Sequence, residues 1–388
     1  MTKIKKFKTK TTNAPLGRSR AERAAERSEQ VPGGGASPSK SPEGALKRAV
    51  ANAVAAKAED AETGAPSVHE HGYFRSEDGL RLFYSLDGPP GAPVLLFCYG
   101  IVCSTLQWKY QMRFFKKNYR VLYMDYRGHN NSETPEDFSQ VTLPTLAKDL
   151  ATLLTELKLG PVPVLGHSLG VNVALELYRL FPEKVAALVL ASGTPRDPFE
   201  TMFRHNFLQP VFELFRKAYF TAPEFLRAFW KFQGSNPINQ EFIARAGFNR
   251  RYAKREDINE YLRITASIDL GVFMQLLHDF TRHNACHWLG DVKVPTLVVG
   301  GVEDKITPLE NQKIMAKLIP GAELFAVPEG SHNAQMEFAE LVNARIEKFL
   351  DRAYRTKPAG SGKAGSRRAP ILGKKKTGLG PKSSAAAR

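Results

Sequence analysis

Hydrophobic and polar positions divide the chain into stretches of different character. From residue 72 to residue 193, short apolar runs alternate with amphipathic ones. Residues 73–75 and 80–86 read as two strands around the turn Glu77-Asp78-Gly79. Residues 93–98 (PVLLFC), 120–125 (RVLYMD) and 185–191 (VAALVLA) are nearly unbroken apolar runs, as expected of strands buried on both faces. Over residues 142–157, Leu143, Leu146, Leu150, Leu153, Leu154 and Leu157 recur at helical spacing, and Pro144 is tolerated in the first turn. The alternation returns with strands at 295–300 and 322–327 around a helix at 309–318. A closing helix to about residue 350 carries Phe338, Leu341, Val342, Ile346 and Phe349 on one face. Alternating strands and helices with continuously apolar strands predict an α/β fold, a mainly parallel sheet covered by helices on both faces.

Residues 194–288 break the pattern. They hold no strand-like run and are crowded with aromatics, among them Phe199, Phe203, Phe207, Phe212, Phe215, Tyr219, Phe220, Phe225, Phe229, Trp230 and Phe232. Spacings of three and four predict several helices, inserted as a cap or lid. Most of these rings are expected to glue the insertion to the sheet, and some to line an apolar pocket. The organisation is therefore a core of 67–193 and 289–351, a helical insertion at 194–288, and tails at 1–66 and 352–388. Both tails are rich in Lys, Arg, Ala, Ser, Pro and Gly, too poor in apolar area to offset the entropy of ordering, and are expected to be disordered.

Charge sharpens this division. Of the net +16, residues 1–66 supply 13 Lys/Arg against 7 Asp/Glu, and residues 352–388 supply 11 Lys/Arg with no acid. The body between them is nearly neutral. The basic tails suggest nonspecific attraction to a polyanion: nucleic acid, polyphosphate or an anionic surface. Three cysteines, an odd number, argue against a disulfide framework and suit a reducing, cytoplasmic setting. His283-x-x-Cys286-His287 lacks paired metal-ligand spacing, so no metal and no cofactor are expected. No apolar run approaches the ~18–20 residues that span a bilayer. No apolar region follows the N-terminal lysines, so a secretory signal is not expected.

Candidate chemistry centres on the apolar run 162–165 and the Gly166-His167-Ser168-Leu169-Gly170 that follows it, with a helix-like segment beyond. A serine at the tip of a sharp strand–helix turn needs positive φ, and side chains at both flanking positions would collide with neighbouring elements. Glycines at 166 and 170 satisfy that requirement. A serine hydroxyl also needs a base, and the base needs an orienting acid. Asp304 lies just past the strand 295–300, and His332 just past the strand 322–327, so a parallel sheet brings both to the Ser168 edge. Glu303 and Asp197 are alternative acids. His129 and His167 read as structural.

These motifs, with Gly301 to Pro308 (Gly-x-x-Asp-x-x-x-Pro) and Asp125 to His129 (Asp-x-Arg-Gly-His), resemble the α/β-hydrolase fold superfamily over residues 73–354. The resemblance implies an eight-stranded, mainly parallel sheet with an inserted helical lid. It implies Ser168 as nucleophile, Asp304 as orienting acid, His332 as base, and the backbone N–H groups of Leu169 and Ile101 as the oxyanion hole. It also implies hydrolysis of an ester with an apolar acyl or alkyl group. Thioester hydrolysis, acyl transfer, cofactor-free haloperoxidase-like chemistry and a non-catalytic binding protein are the alternatives. Haloalkane dehalogenases and epoxide hydrolases of this fold carry aspartate where Ser168 stands. Three positions depart from the family pattern: Tyr99 replaces a histidine before Gly100 and is expected to pack there and donate a hydrogen bond, Asn130 replaces a glycine, and Pro163 interrupts the central strand.

Overall fold

The computed structural model describes residues 5–9, 68–101, 103–202 and 208–355. In it the apolar runs become strands of one sheet: β1 (Lys5–Thr9), β2 (Val68–Arg75), β3 (Arg81–Gly88), β4 (Val94–Cys98), β5 (Arg120–Met124), β6 (Val162–His167), β7 (Val185–Ala191), β8 (Thr296–Gly301) and β9 (Glu323–Val327). Their order is β1-β2-β3-β5-β4-β6-β7-β8-β9. From β5 through β9 all neighbours are parallel, and β1, β2 and β3 form an antiparallel edge. β4, β6, β7 and β8 are almost wholly buried, which is why they read as unbroken apolar runs.

The sheet has the eight strands that the resemblance implied, and β1 adds a ninth. The expected disorder of residues 1–66 is corrected at Lys5–Thr9, whose backbone pairs with β2 from Lys5 opposite Tyr73 to Thr9 opposite His69. Edge pairing draws on backbone groups that β2 leaves open. Composition does not register it. The expected disorder of residues 352–388 is likewise corrected at 352–355, which close the last helix of the chain, and residues 1–4, 10–67 and 356–388 lie outside the described residues.

Helices cover the sheet: α1 (Lys109–Phe115), α2 (Leu143–Glu156), α3 (Leu169–Leu180), α4 (Leu208–Thr221), α5 (Pro223–Ser235), α6 (Pro237–Gly247), α7 (Arg255–Ser267), α8 (Leu270–Arg282), α9 (Leu309–Leu318), α10 (Ala334–Glu337) and α11 (Ala339–Arg355). α2 begins as its sequence predicts, with the Thr142 hydroxyl accepting the Thr145 N–H at 3.2 Å and Leu143, Leu146, Leu150, Leu153 and Leu154 buried. The stretch between β7 and β8 is helical, as α4 to α8. Its aromatics divide: Phe199, Phe212 and Tyr219 are buried, whereas Phe225, Phe229 and Phe232 face outward and neither glue the insertion nor line a cavity.

Pro163 is accommodated by two local features. The pairing of β4 with β6 begins only at Val164. On the other side the register shifts between Val162 and Pro163, so that Ala186 on β7 has no partner. The missing N–H therefore falls at a bulge beside the strand's start, a position where proline is tolerated.

Candidate active site

β6 ends at His167, and the chain reverses at once into α3. Ser168 occupies the turn with φ 55° and ψ −125°, the positive φ expected from sequence. The turn is held by the Ser168 N–H to Ala191 O at 2.9 Å and the Val171 N–H to Ser168 O at 2.9 Å. A side chain at Gly166 would collide with the Gly170 carbonyl. One at Gly170 would collide with the Cys98 carbonyl and lie 2.7 Å from Tyr99 O. Both glycines are thus required by backbone approaching backbone, which cannot rotate away.

The loops after β6, β8 and β9 converge at the C-terminal edge of the sheet. His332 Nε2 lies 3.0 Å from Ser168 Oγ. His332 Nδ1 lies 3.0 Å from Asp304 Oδ2 and 3.2 Å from Oδ1. Asp304 Oδ1 also accepts the N–H groups of Ile306 and Thr307, each at 2.9 Å, so the carboxylate is fixed from two sides. Ser168, Asp304 and His332 are 6%, 5% and 3% exposed. An imidazole bridging a hydroxyl and a carboxylate in this way can take the hydroxyl proton while the carboxylate stabilises the resulting charge.

Leu169 opens α3, so its N–H is among those that no earlier turn of helix can receive. Ile101 follows Gly100, whose Cα faces the serine: a Cβ added at Gly100 would lie 3.0 Å from Ser168 Cβ. The Gly100 N–H donates to Gln107 Oε1 at 2.8 Å, which anchors this loop. Leu169 thus follows Ser168 directly, and Gly100, the neighbour of Ile101, approaches its side chain.

The departures resolve locally. Tyr99 is fully buried, its ring 4.3 Å from that of Tyr126, and its hydroxyl accepts the Tyr126 N–H at 2.8 Å. The same hydroxyl also faces the Asp125 carboxylate, an acceptor for its own proton, in keeping with the donor role expected of it. Burial, with the Asp125 carboxylate nearby, pushes this phenol well above its ordinary range. Asn130 adopts φ 47°, the conformation a glycine would supply, and donates to Asp125 Oδ1 at 3.2 Å. Asp125 also accepts the N–H and the side-chain amide of Asn131, at 3.2 and 3.0 Å.

The alternative acids stand apart. Glu303 is exposed, and its carboxylate receives the Asn249 amide at 3.4 Å. Asp197 caps the short turn Pro198–Glu200 by accepting the Phe199 N–H at 2.8 Å. His129 contacts the Arg127 carbonyl at 3.0 Å, and burial lowers it to about 4. His167 is fully buried, with Nε2 2.9 Å from the His332 carbonyl; burial first, then the charge of His332, lowers it to about 3. His283 contacts Asn172 and Glu176, each at 3.0 Å.

Several supporting residues were not anticipated. The Thr307 hydroxyl lies 2.7 Å from Ser192 O and 3.0 Å from Asp304 Oδ2. Glu337 accepts the N–H and hydroxyl of Ser331, at 2.8 and 2.5 Å, and the Asn249 N–H at 2.6 Å, tying the His332 loop to the segment after α6. Burial pushes the Glu337 carboxyl up. Thr307 carried a faint signal, three residues after the acid. Glu337 carried none, because its partners are remote in sequence.

A family model described as alpha/beta hydrolase fold matches residues 93–339. The chain is 26% identical over 295 residues to epoxide hydrolase 4 of Mus musculus, covering 74% of this chain and 80% of that one. It is 27% identical over 285 residues to the bifunctional esterase/perhydrolase DCH of Acinetobacter calcoaceticus, covering 72% and 99%. Among solved structures, a hydrolase from Pseudomonas aeruginosa PA01 matches with a TM-score of 0.61 at 22% identity, over 72% of this chain and 98% of that one, a likeness of fold.

Proposed function

The chain belongs to the alpha/beta hydrolase fold family, and on that premise we propose that it is a serine hydrolase that cleaves carboxylic esters through an acyl-enzyme on Ser168. The observation that carries this reading is the continuous hydrogen-bonded line from Asp304 through His332 to Ser168, at 3.0 Å per step. Ser168 Oγ attacks the carbonyl carbon as His332 Nε2 takes its proton. The Leu169 and Ile101 N–H groups receive the oxyanion, and His332 returns the proton to the leaving alkoxide. Water then enters, His332 activates it, and the acid leaves. Asp304 holds the imidazole and offsets its charge.

An epoxide substrate, suggested by the name of one relative, fits this site poorly. A carboxylate that opens an epoxide forms an ester, which water can cleave. Ser168 would form an ether, which water does not cleave. The aromatic-rich insertion supports an apolar acyl or alkyl group, and the burial of Ser168 supports reading α4 to α8 as a cap that moves to admit it. Cys98, Cys103 and Cys286, none in a disulfide, support a cytoplasmic setting.

The test is labelling with a fluorophosphonate probe beside hydrolysis of short p-nitrophenyl esters. Wild type should label and turn over; Ser168→Ala and His332→Ala should do neither. Labelling that survives Ser168→Ala, or a folded wild type that neither labels nor hydrolyses any ester offered, would overturn the reading.

A further inference from the structure

Large apolar side chains usually stand singly on a protein surface, and a cluster of them marks an interaction site. Nine such side chains are exposed among the described residues, and seven of these lie on the consecutive helices α4, α5 and α6. They keep helical spacing. Val211 and Leu214 share one side of α4. On α5, Phe225, Phe229 and Phe232 are 71%, 42% and 66% exposed and form one stripe, while Leu226 turns into the core. Ile238, 81% exposed, continues the pattern on α6. α5 packs against both α4 and α6, so the stripes lie on adjoining helices.

Cations accompany them. Residues 208–251 hold seven Lys/Arg and three Glu. Glu213, Glu224 and Glu241 are each paired with an arginine of the next turn, Arg216, Arg227 and Arg245. Lys217 and Lys231 are exposed, and no carboxylate pairs with either among the described residues. No helix among the described residues is long and apolar enough to cross a membrane.

We propose that α4, α5 and α6 form a docking surface for an anionic lipid bilayer, lying in the interfacial plane with Phe225, Phe229 and Phe232 in the acyl boundary and Lys217 and Lys231 among the headgroups. Short helices with an apolar stripe and flanking lysines suit that position. Charge argues against a second copy of the chain as the occupant. Self-association would bring the lysines of two copies together, and each copy brings a segment, 352–388, with eleven Lys/Arg and no acid. An anionic surface attracts all of these charges. The docking does not depend on the reaction at Ser168.

The full chain is sedimented with phosphatidylcholine vesicles and with mixed phosphatidylcholine–phosphatidylglycerol vesicles at equal total lipid. Wild type should bind the mixed vesicles roughly tenfold or more tightly than the neutral ones. The triple variant Phe225→Ser, Phe229→Ser, Phe232→Ser should lose roughly tenfold or more of that binding. Lys217→Glu with Lys231→Glu should lower binding to the mixed vesicles and leave the neutral ones unaffected. Phe225→Ser alone, at the most exposed of the three, should weaken binding with an unchanged circular dichroism spectrum and thermal midpoint, which keeps the test valid if the triple variant does not fold. Wild type that ignores both vesicles, or variants that bind like wild type, would overturn the proposal. So would a wild-type dimer in sedimentation velocity that Phe225→Ser abolishes, which would assign the face to a second copy.

Discussion

Acidification should destabilise this protein through His167, and the size of the effect follows from where that ring sits. His167 is fully buried beneath the candidate site, between Trp108 and the His332 ring, at 6.1 and 5.0 Å between centroids. Burial, and secondarily the charge of His332, lowers it from 6.5 to about 3. The folded state therefore refuses a proton that the unfolded chain accepts. The stability held by the neutral ring is complete above the unfolded value and is lost as the pH falls from about 6.5 towards 3. At about pH 5 the unfolded side chain has gained ~1.5 pK units of proton binding and the folded one almost none. At about 1.4 kcal/mol per unit, that is a loss of about 2 kcal/mol relative to pH 7.5. The assay is urea unfolding of wild type and His167→Gln at about pH 7.5 and pH 5. The difference in unfolding free energy between the two proteins should shift by about 2 kcal/mol in favour of the variant at the lower pH. A difference independent of pH would refute the reasoning, since it would mean that His167 takes up its proton equally in both states.

Other outcomes follow from the same geometry. Asp304→Asn should lower kcat/KM for an ester by roughly three to four powers of ten, while Glu303→Gln stays near wild type, read by p-nitrophenyl ester hydrolysis. Gly170→Ala sets a methyl against the Cys98 and Tyr99 carbonyls, so it should cost roughly 1–3 kcal/mol in denaturant unfolding and abolish fluorophosphonate labelling. Arg127 bonds Asp149 at 2.6 and 2.7 Å with both side chains 2% exposed. Arg127→Met strands that carboxylate and should cost roughly 3–5 kcal/mol by the same unfolding assay.

Much of the candidate site was legible because its requirements are local. Positive φ at Ser168 and glycine on either side follow from the geometry of a strand–helix turn, and the structure meets them. Asp304 was separable from Glu303 only by motif register; in the folded chain one carboxylate turns inward to His332 and its neighbour turns out to solvent. Glu337 and Gln107 stayed invisible. A buried Glu five residues after a histidine carries no pattern, and its purpose appears only when Asn249 and Ser331 arrive beside it. The strand Lys5–Thr9 was hidden for a related reason: edge pairing is made by backbone, and the basic composition spoke for disorder.

The layering was written in the pattern of apolar positions, because a strand buried on both faces must be apolar throughout and a surface helix must alternate with its period. The sequence by itself determined the order of serine, acid and histidine along the chain, and the glycines without which the turn cannot form. Packing in the folded chain set how Pro163 is absorbed by a shift in register and which aromatics of the insertion face the core. Spacing along one helix assigns residues to its sides. Which side is buried and which meets solvent is set by packing against elements remote in sequence, as where α8 meets α2 more than a hundred residues earlier.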